Sequence, residues 1–237
     1  MNRLLFSLPM AIGMTFSALI FFSCTSNEIG NAKDVNPEAI YFDYRVWGEE
    51  GNDQVTIKLQ YRFGGPNGTT LLLEEPSKVE LDGELLKADS SSFSGVYYEV
   101  QKPVTSFTGK HTILFTDINK KQYRETFTFQ PIALETEIQD TIQRNRIVFK
   151  FRGIDGPDYI RTLMTDTSFT GEGINRLDTV YKSGFITIQQ DEMDDLLNGP
   201  VQLELIREVD REVRNGTNEG GRIVITYSLR KEFFLRN

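Results

Sequence analysis

The chain has 237 residues, a quarter of them charged, with a formal net charge of −8 and a sequence pI near 4.9. That acidic balance is a poor match for nucleic acid or an anionic surface. Its 17 Phe and 9 Tyr supply enough bulk to pack cores, which argues against disorder outside a tether.

Arg3 opens the chain, and an uncharged, largely apolar stretch runs from Leu4 to Phe22. A basic start followed by an apolar run is the layout of a secretory signal. The run approaches the length of a membrane-spanning helix, which Pro9 and Gly13 weaken. Phe21-Phe22-Ser23-Cys24 follows, then polar Thr25 to Glu28. This resembles the lipobox of bacterial lipoproteins, where a small residue precedes the lipidated Cys. The resemblance implies that Cys24 takes a thioether-linked diacylglyceryl group and becomes the new N-terminus. It also implies a cell-envelope location, with the lipid in a membrane, the outer membrane by preference. An ordinary signal peptide or an uncleaved anchor is the competing reading. Cys24 is the only cysteine, so the mature chain holds no disulfide. Exported chains either pair their cysteines or avoid them. Cleavage after residue 23 leaves 25 basic and 34 acidic residues, a charge of −9.

Residues 24–38 read as a flexible tether, with Gly30, Asn31 and Pro37 among polar neighbours. Period-2 patterns then begin. Ile40, Phe42, Tyr44 and Val46 form one buried set. Val55, Ile57, Leu59, Tyr61 and Phe63 form the cleanest half-buried strand in the chain. The loop 64–68 interrupts, and 69–73 resumes. Strands at 78–81 and 84–87 flank Asp82-Gly83, a pair suited to positive φ in a two-residue hairpin. A strand at 96–100 follows, then strands at 111–116 and 122–129 around the turn 117–120. Pro131 marks the expected boundary between one unit, 39–131, and a second, 132–237.

The second unit is expected to hold strands at 133–138, 146–152, 159–166 and 179–189, with a loose loop at 170–178. Asp191 to Leu197 is the one expected helical turn, capped by Asp191, with Met193, Leu196 and Leu197 facing inward. Two long strands, 201–214 and 222–235, finish the chain. Their inward-facing set is interrupted by Arg207 and Arg211, which a packed core would not normally accept. The outer half of this hairpin is therefore expected to leave the sandwich as a solvated arm. Arg207, Arg211, Arg214, Asn215 and Asn218 would then be its protein-contacting residues. An inert charged hairpin is the competing reading.

The order of strand sets resembles tandem immunoglobulin-like sandwich domains of bacterial surface lipoproteins. The expected fold class is thus all-β, two antiparallel immunoglobulin-like β-sandwich domains in tandem with one short helix in the second. No Gly-x-Ser-x-Gly elbow or Gly-rich phosphate loop with its Lys is present, and His111 is the only histidine. A zinc site lacks ligands. Asp191, Glu192, Asp194 and Asp195 do not have calcium-loop spacing and suit a helix N-terminus. No catalytic residue, metal or cofactor is expected. Tyr41, Trp47 and Tyr97 lie opposite apolar faces and would be the stacking residues of a glycan site. The expected function is a non-enzymatic protein-binding or structural envelope module. The alternative is a glycan-binding accessory lipoprotein of polysaccharide uptake.

Overall fold

The computed structural model describes residues 29–154, 156–167, 173–181 and 184–237. Cys24 and the signal run lie outside the described residues. Ten strands come first: β1 (Ile29–Asn31), β2 (Ile40–Glu49), β3 (Gln54–Phe63), β4 (Thr69–Leu72), β5 (Lys78–Leu81), β6 (Glu84–Leu85), β7 (Ala88–Ser91), β8 (Gly95–Pro103), β9 (Gly109–Thr116) and β10 (Gln122–Phe129). Eight follow: β11 (Ala133–Leu134), β12 (Thr141–Gln143), β13 (Ile147–Arg152), β14 (Asp158–Thr165), β15 (Ile174–Val180), β16 (Phe185–Ile188), β17 (Gly199–Thr217) and β18 (Gly220–Arg236). The all-β expectation holds.

One large sheet runs β1-β4-β3-β2-β18-β17-β14-β15, with β7, β8 and β12 attached at its sides. Two smaller sheets, β10-β9-β5-β6 and β11-β13-β16, complete the architecture. The first of these faces β2 and β3 through aromatic rings. Tyr61 stacks on Phe115 with centroids 4.5 Å apart, and Phe42 meets Phe115 edge-on at 5.2 Å. Such pairs add to the burial of their large faces. In the second half, Phe149, Ile186 and Ile188 are buried in one core with Ile160, Met164, Leu203, Leu205 and Leu229. The even–odd alternation read from the sequence selects these inward sets.

Asp82 and Gly83 adopt φ of 51° and 88°, the positive-φ pair that a tight hairpin between β5 and β6 requires. Other expectations are corrected. The helical turn is a 3₁₀ turn at Asp191–Met193; Gln190 stands at its cap without a side-chain bond. Met193 and Leu196 are buried, but Leu197 is 56% exposed. A helix would need the i, i+3, i+4 spacing to hold for several turns, and Gly199 starts a strand too soon. Part of the expected loop at 170–178 is strand, because β15 starts at Ile174 and pairs with β14.

The stretch 29–38 is folded. Ile29 to Asn31 pairs in parallel with Thr70 to Leu72, and Ala32 is buried. Glu38 then ties this stretch to two distant elements. Its carboxylate accepts from Lys121 Nζ at 2.7 Å, from the Tyr123 hydroxyl at 3.0 Å and from the Asn218 N–H at 3.3 Å. Its carbonyl accepts the Glu219 N–H. Lys121 first, then Tyr123, holds the Glu38 carboxyl below its ordinary value of 4.5. A carboxylate with a lowered folded pKa stabilises the fold above its unfolded value, and that contribution disappears as pH falls through the folded value. The melting midpoint of Glu38→Gln should therefore lie below wild type at neutral pH. The two should converge as pH falls below 4.5. A gap unchanged by acid would show that the carboxylate's charge is not what matters.

The C-terminal hairpin is the main departure. Its outer half does not project. Gly221 to Ser228 of β18 pairs in parallel with Phe42 to Glu49 of β2, so β18 is an interior strand of the first sandwich. Gly221 lies so close to β2 that a Cβ would sit 2.6 Å from the Phe42 carbonyl oxygen. The base of the same hairpin pairs with β14 of the second half. The two sandwiches therefore share one unbroken sheet.

Candidate functional site

Of the residues expected to form a contact arm, Arg207 and Arg211 are engaged inside the molecule. Arg207 forms an ion pair with Asp158 at 2.7 Å and donates to the Gln130 carbonyl at 2.6 Å. Arg211 donates to Glu125 at 2.7 Å and to the Thr126 carbonyl at 3.0 Å. Glu125 is 2% exposed, and its second oxygen accepts the Arg214 N–H. Asn215 donates to the Arg124 carbonyl. Both arginines face inward, as their parity requires, because acids on neighbouring elements neutralise them there. The Arg214 and Asn218 side chains are exposed.

The three aromatic residues considered for glycans do not converge. Tyr41 and Tyr97 are partly buried, and Trp47 is 39% exposed. Trp47 stands opposite Thr56, which is opposite Gln101, four residues or about 13 Å along β8 from Tyr97. Tyr97 lies under the Lys58 ammonium, 3.9 Å from ring centroid to nitrogen. The face they share carries ion pairs: Arg45 and Arg62 on Asp43, Arg222 on Asp210, Arg161 on Glu208, and Arg230 on Glu49 and Glu204. Exposed pairs add little stability. Their effect is to leave that face self-neutralised and strongly hydrated.

His111 is buried rather than exposed. Its Nδ1 lies 2.7 Å from Asp82 Oδ2, its Nε2 2.7 Å from the Phe107 carbonyl, and its ring stacks on Phe107. Both nitrogens are thus occupied, and the ring secures the loop before β9. In the acidic group, Glu192 accepts from Arg176 and from the Gln189 N–H. Among the described residues, no group of three or more His, Cys, Asp or Glu side chains is placed to hold a metal ion.

What the sequence did not reveal is a groove of about 630 Å³ in the first sandwich. The short edge strand β6 leaves the gap between the two sheets open on this side. Leu73, Pro76, Val79, Leu85, Leu86, Ala88 and Tyr98 give it apolar walls. The Tyr98 hydroxyl accepts the Leu73 N–H at 2.7 Å, which fixes the ring, and burial pushes its phenol up to about 12. Glu75, Ser77, Lys78 and Lys120 supply polar groups. Lys78 pairs with Glu80 at 3.0 Å, whereas the Glu75 and Lys120 side chains have no partner among the described residues. Lys120 sits at φ 64° at the tip of the β9–β10 turn, held by Asp117 bonds to the Asn119 and Lys121 amides. The Ser77 hydroxyl is buried in the groove wall without a partner among the described residues. Four separate stretches, 73–79, 85–88, Tyr98 and Lys120, build this site, so no local pattern could have announced it.

Ligand pockets are typically a few hundred Å³, mostly apolar, with a few polar groups that orient the ligand. This groove has that make-up.

No protein-family model matches the sequence, and no curated relative matches it. Among solved structures, it is similar to a tetra-tandem repeat in the extending region of a large adhesion protein. Identity there is 14% and the TM-score 0.26, over 82% of this chain and 49% of that one, so this chain spans about half its length. DIP-gamma IG1+IG2 shows 9% identity and a TM-score of 0.22 over 83% and 95%. A 1.5-MDa bacterial ice-binding adhesin shows 10% identity and a TM-score of 0.24 over 85% and 66%. Scores of this size leave the ligand and partners of this chain open.

Proposed function

We propose that the protein is a non-enzymatic, lipid-anchored envelope module that holds an extended peptide segment of a partner protein in the groove of its first sandwich. The groove carries this reading. Its apolar walls suit side chains, and the unpaired Glu75 and Lys120 offer opposite charges to a chain that carries both. The non-enzymatic part is supported by His111, whose two ring nitrogens are already occupied. The lipid anchor is supported by the sequence around Cys24. The ion pairs on the broad outer face, and the separation of Tyr41, Trp47 and Tyr97, favour the groove over a glycan platform.

The test is site-specific photo-crosslinking in the native envelope. A benzophenone side chain at Leu85, which is 58% exposed at the groove, should give a discrete protein adduct. The same group at Arg45, on the ion-paired face, should not. With the partner in hand, Lys120→Glu should weaken binding about tenfold, the effect of losing about 1.4 kcal/mol at one charged contact. Adducts at Arg45 but none at Leu85 would reject the groove.

A further inference from the structure

β15 ends the large sheet on one side. It pairs with β14 over seven register positions, and no strand among the described residues pairs with its outer edge. β10, an end strand of comparable length, is not open in this way, because Arg211 and Asn215 donate to its Thr126 and Arg124 carbonyls. An open edge offers a row of backbone donors and acceptors to another strand. The side chains decide which strand can use it. Ile174 and Val180 are buried on one face of β15, and Arg176 and Asp178 lie half-buried on that same face. Leu177, 47% exposed, stands at the middle of the other face, between Asn175 and Thr179. The order of residues is therefore self-complementary about Leu177: an aliphatic residue at each end, a small polar residue next, then one cation facing one anion.

We propose that a second copy of this chain adds its own β15 to this edge, antiparallel, about a twofold axis at Leu177. In that register Ile174 meets Val180 of the second copy, Asn175 meets Thr179, Arg176 meets Asp178, and Leu177 meets its own counterpart. Opposite residues of an antiparallel pair point the same way, so the faces match as well. Ile174 and Val180 continue the buried face, and the two Leu177 side chains touch on the solvent face. Arg176 already bonds Asp178 at 2.8 Å within one strand. Across the axis the two pairs make a square of alternating charge. The smallest shift that keeps the faces is two residues. It would centre the contact on Arg176 or on Asp178 and set like charges opposite each other, which is destabilising. Charged side chains on an edge turn most strands away. Here their opposite signs admit a second copy in one register. Such a contact is isologous and closes on itself, so it gives a dimer and not a fibre. It uses neither the groove nor the lipid, and so stands apart from the function proposed above.

The experiment uses the full chain in its native envelope, with Leu177→Cys and mild copper–phenanthroline oxidation. Leu177 is half exposed on the solvent face, so the exchange leaves the core intact. Directly opposite residues of an antiparallel pair have Cα atoms about 4.5–5.5 Å apart, inside disulfide reach. Most of the chain should therefore run as a disulfide-linked dimer on a non-reducing gel. Wild type, whose only cysteine is Cys24, sets the background. Asn175→Cys is the control for register. Its counterpart lies about 13 Å along the strand, out of reach, so it should bridge about a tenth as often. Co-expressed with a Thr179→Cys copy of different tag length, the same variant should bridge again and give a band of mixed size. Failure of Leu177→Cys to bridge, or equal bridging by Asn175→Cys alone, would overturn the proposal. Adducts of Leu177→Cys with other proteins in place of the dimer would overturn it as well.

Discussion

Arg211→Ala should cost about 3 kcal/mol of stability and lower the melting midpoint by roughly 6–12 °C. The reason is the partner it leaves behind. Glu125 is 2% exposed and faces Arg211 from the opposite sheet, 2.7 Å away. Two solvated charges would lose little on separation, but a stranded buried carboxylate loses the counter-charge it was buried with. The companion change sharpens the measurement. In Arg211→Ala with Glu125→Gln, no charge is stranded, and the Gln carbonyl can still accept the Arg214 N–H. That double variant should recover much of the loss. Denaturant unfolding of the four proteins measures the coupling directly. A loss under about 1 kcal/mol for Arg211→Ala would mean the pair behaves as a surface pair.

The intact chain should unfold in a single calorimetric transition, and a fragment ending at Gln130 should fail to fold. A chain of two sandwiches joined only by a linker would show two transitions and a stable first fragment. Here β18 supplies an interior strand of the first sandwich, with Ile223, Ile225 and Tyr227 buried against it. Removing it uncovers β2 along eight register positions. It also strips the apolar cover that those side chains provide, each contributing about 1.5–3 kcal/mol when fully buried. The same hairpin pairs with β14 in the second half, so neither half loses it alone. The van't Hoff and calorimetric enthalpies should agree, which is the mark of one cooperative unit. A folded fragment, or a resolved second transition, would show that the shared sheet does not couple the halves.

Much of the fold was legible because one sheet face is buried and the other is wet. Val55 to Phe63 showed its alternation openly, and Asp82-Gly83 marked its hairpin through a conformation few other pairs adopt. β7, Ala88 to Ser91, showed nothing, because all four residues are exposed and only its hydrogen bonds to β8 make it a strand. β15 was hidden in the same way: Arg176 and Asp178 look like loop residues, yet they pair with each other and Arg176 reaches Glu192. Arg207 and Arg211 misled for a related reason. Their inward parity was plain, but the acids that accept them, Asp158 and Glu125, lie 49 and 86 residues away. Pairing across such distances has no local trace. The groove was invisible for the same cause, since Leu73, Leu86, Tyr98 and Lys120 meet only after the sheets close.

The order of strands in the first sandwich also dictates when it can exist. β2 is made early, yet its neighbour β18 follows more than 170 residues later, with Tyr44 waiting for Ile223. Until then β2 presents an unpaired edge rich in Tyr, Phe and Val, the kind of edge that recruits strands from other chains. Closing so long a loop is slow, because its entropy must be overcome before the contacts form. A nascent chain therefore lacks a finished first sandwich until residues 221–228 are made. Truncation before Gly221 would leave residues 42–49 without that neighbour, whereas loss of the last few residues would first uncover Thr141 to Gln143 and the start of β17.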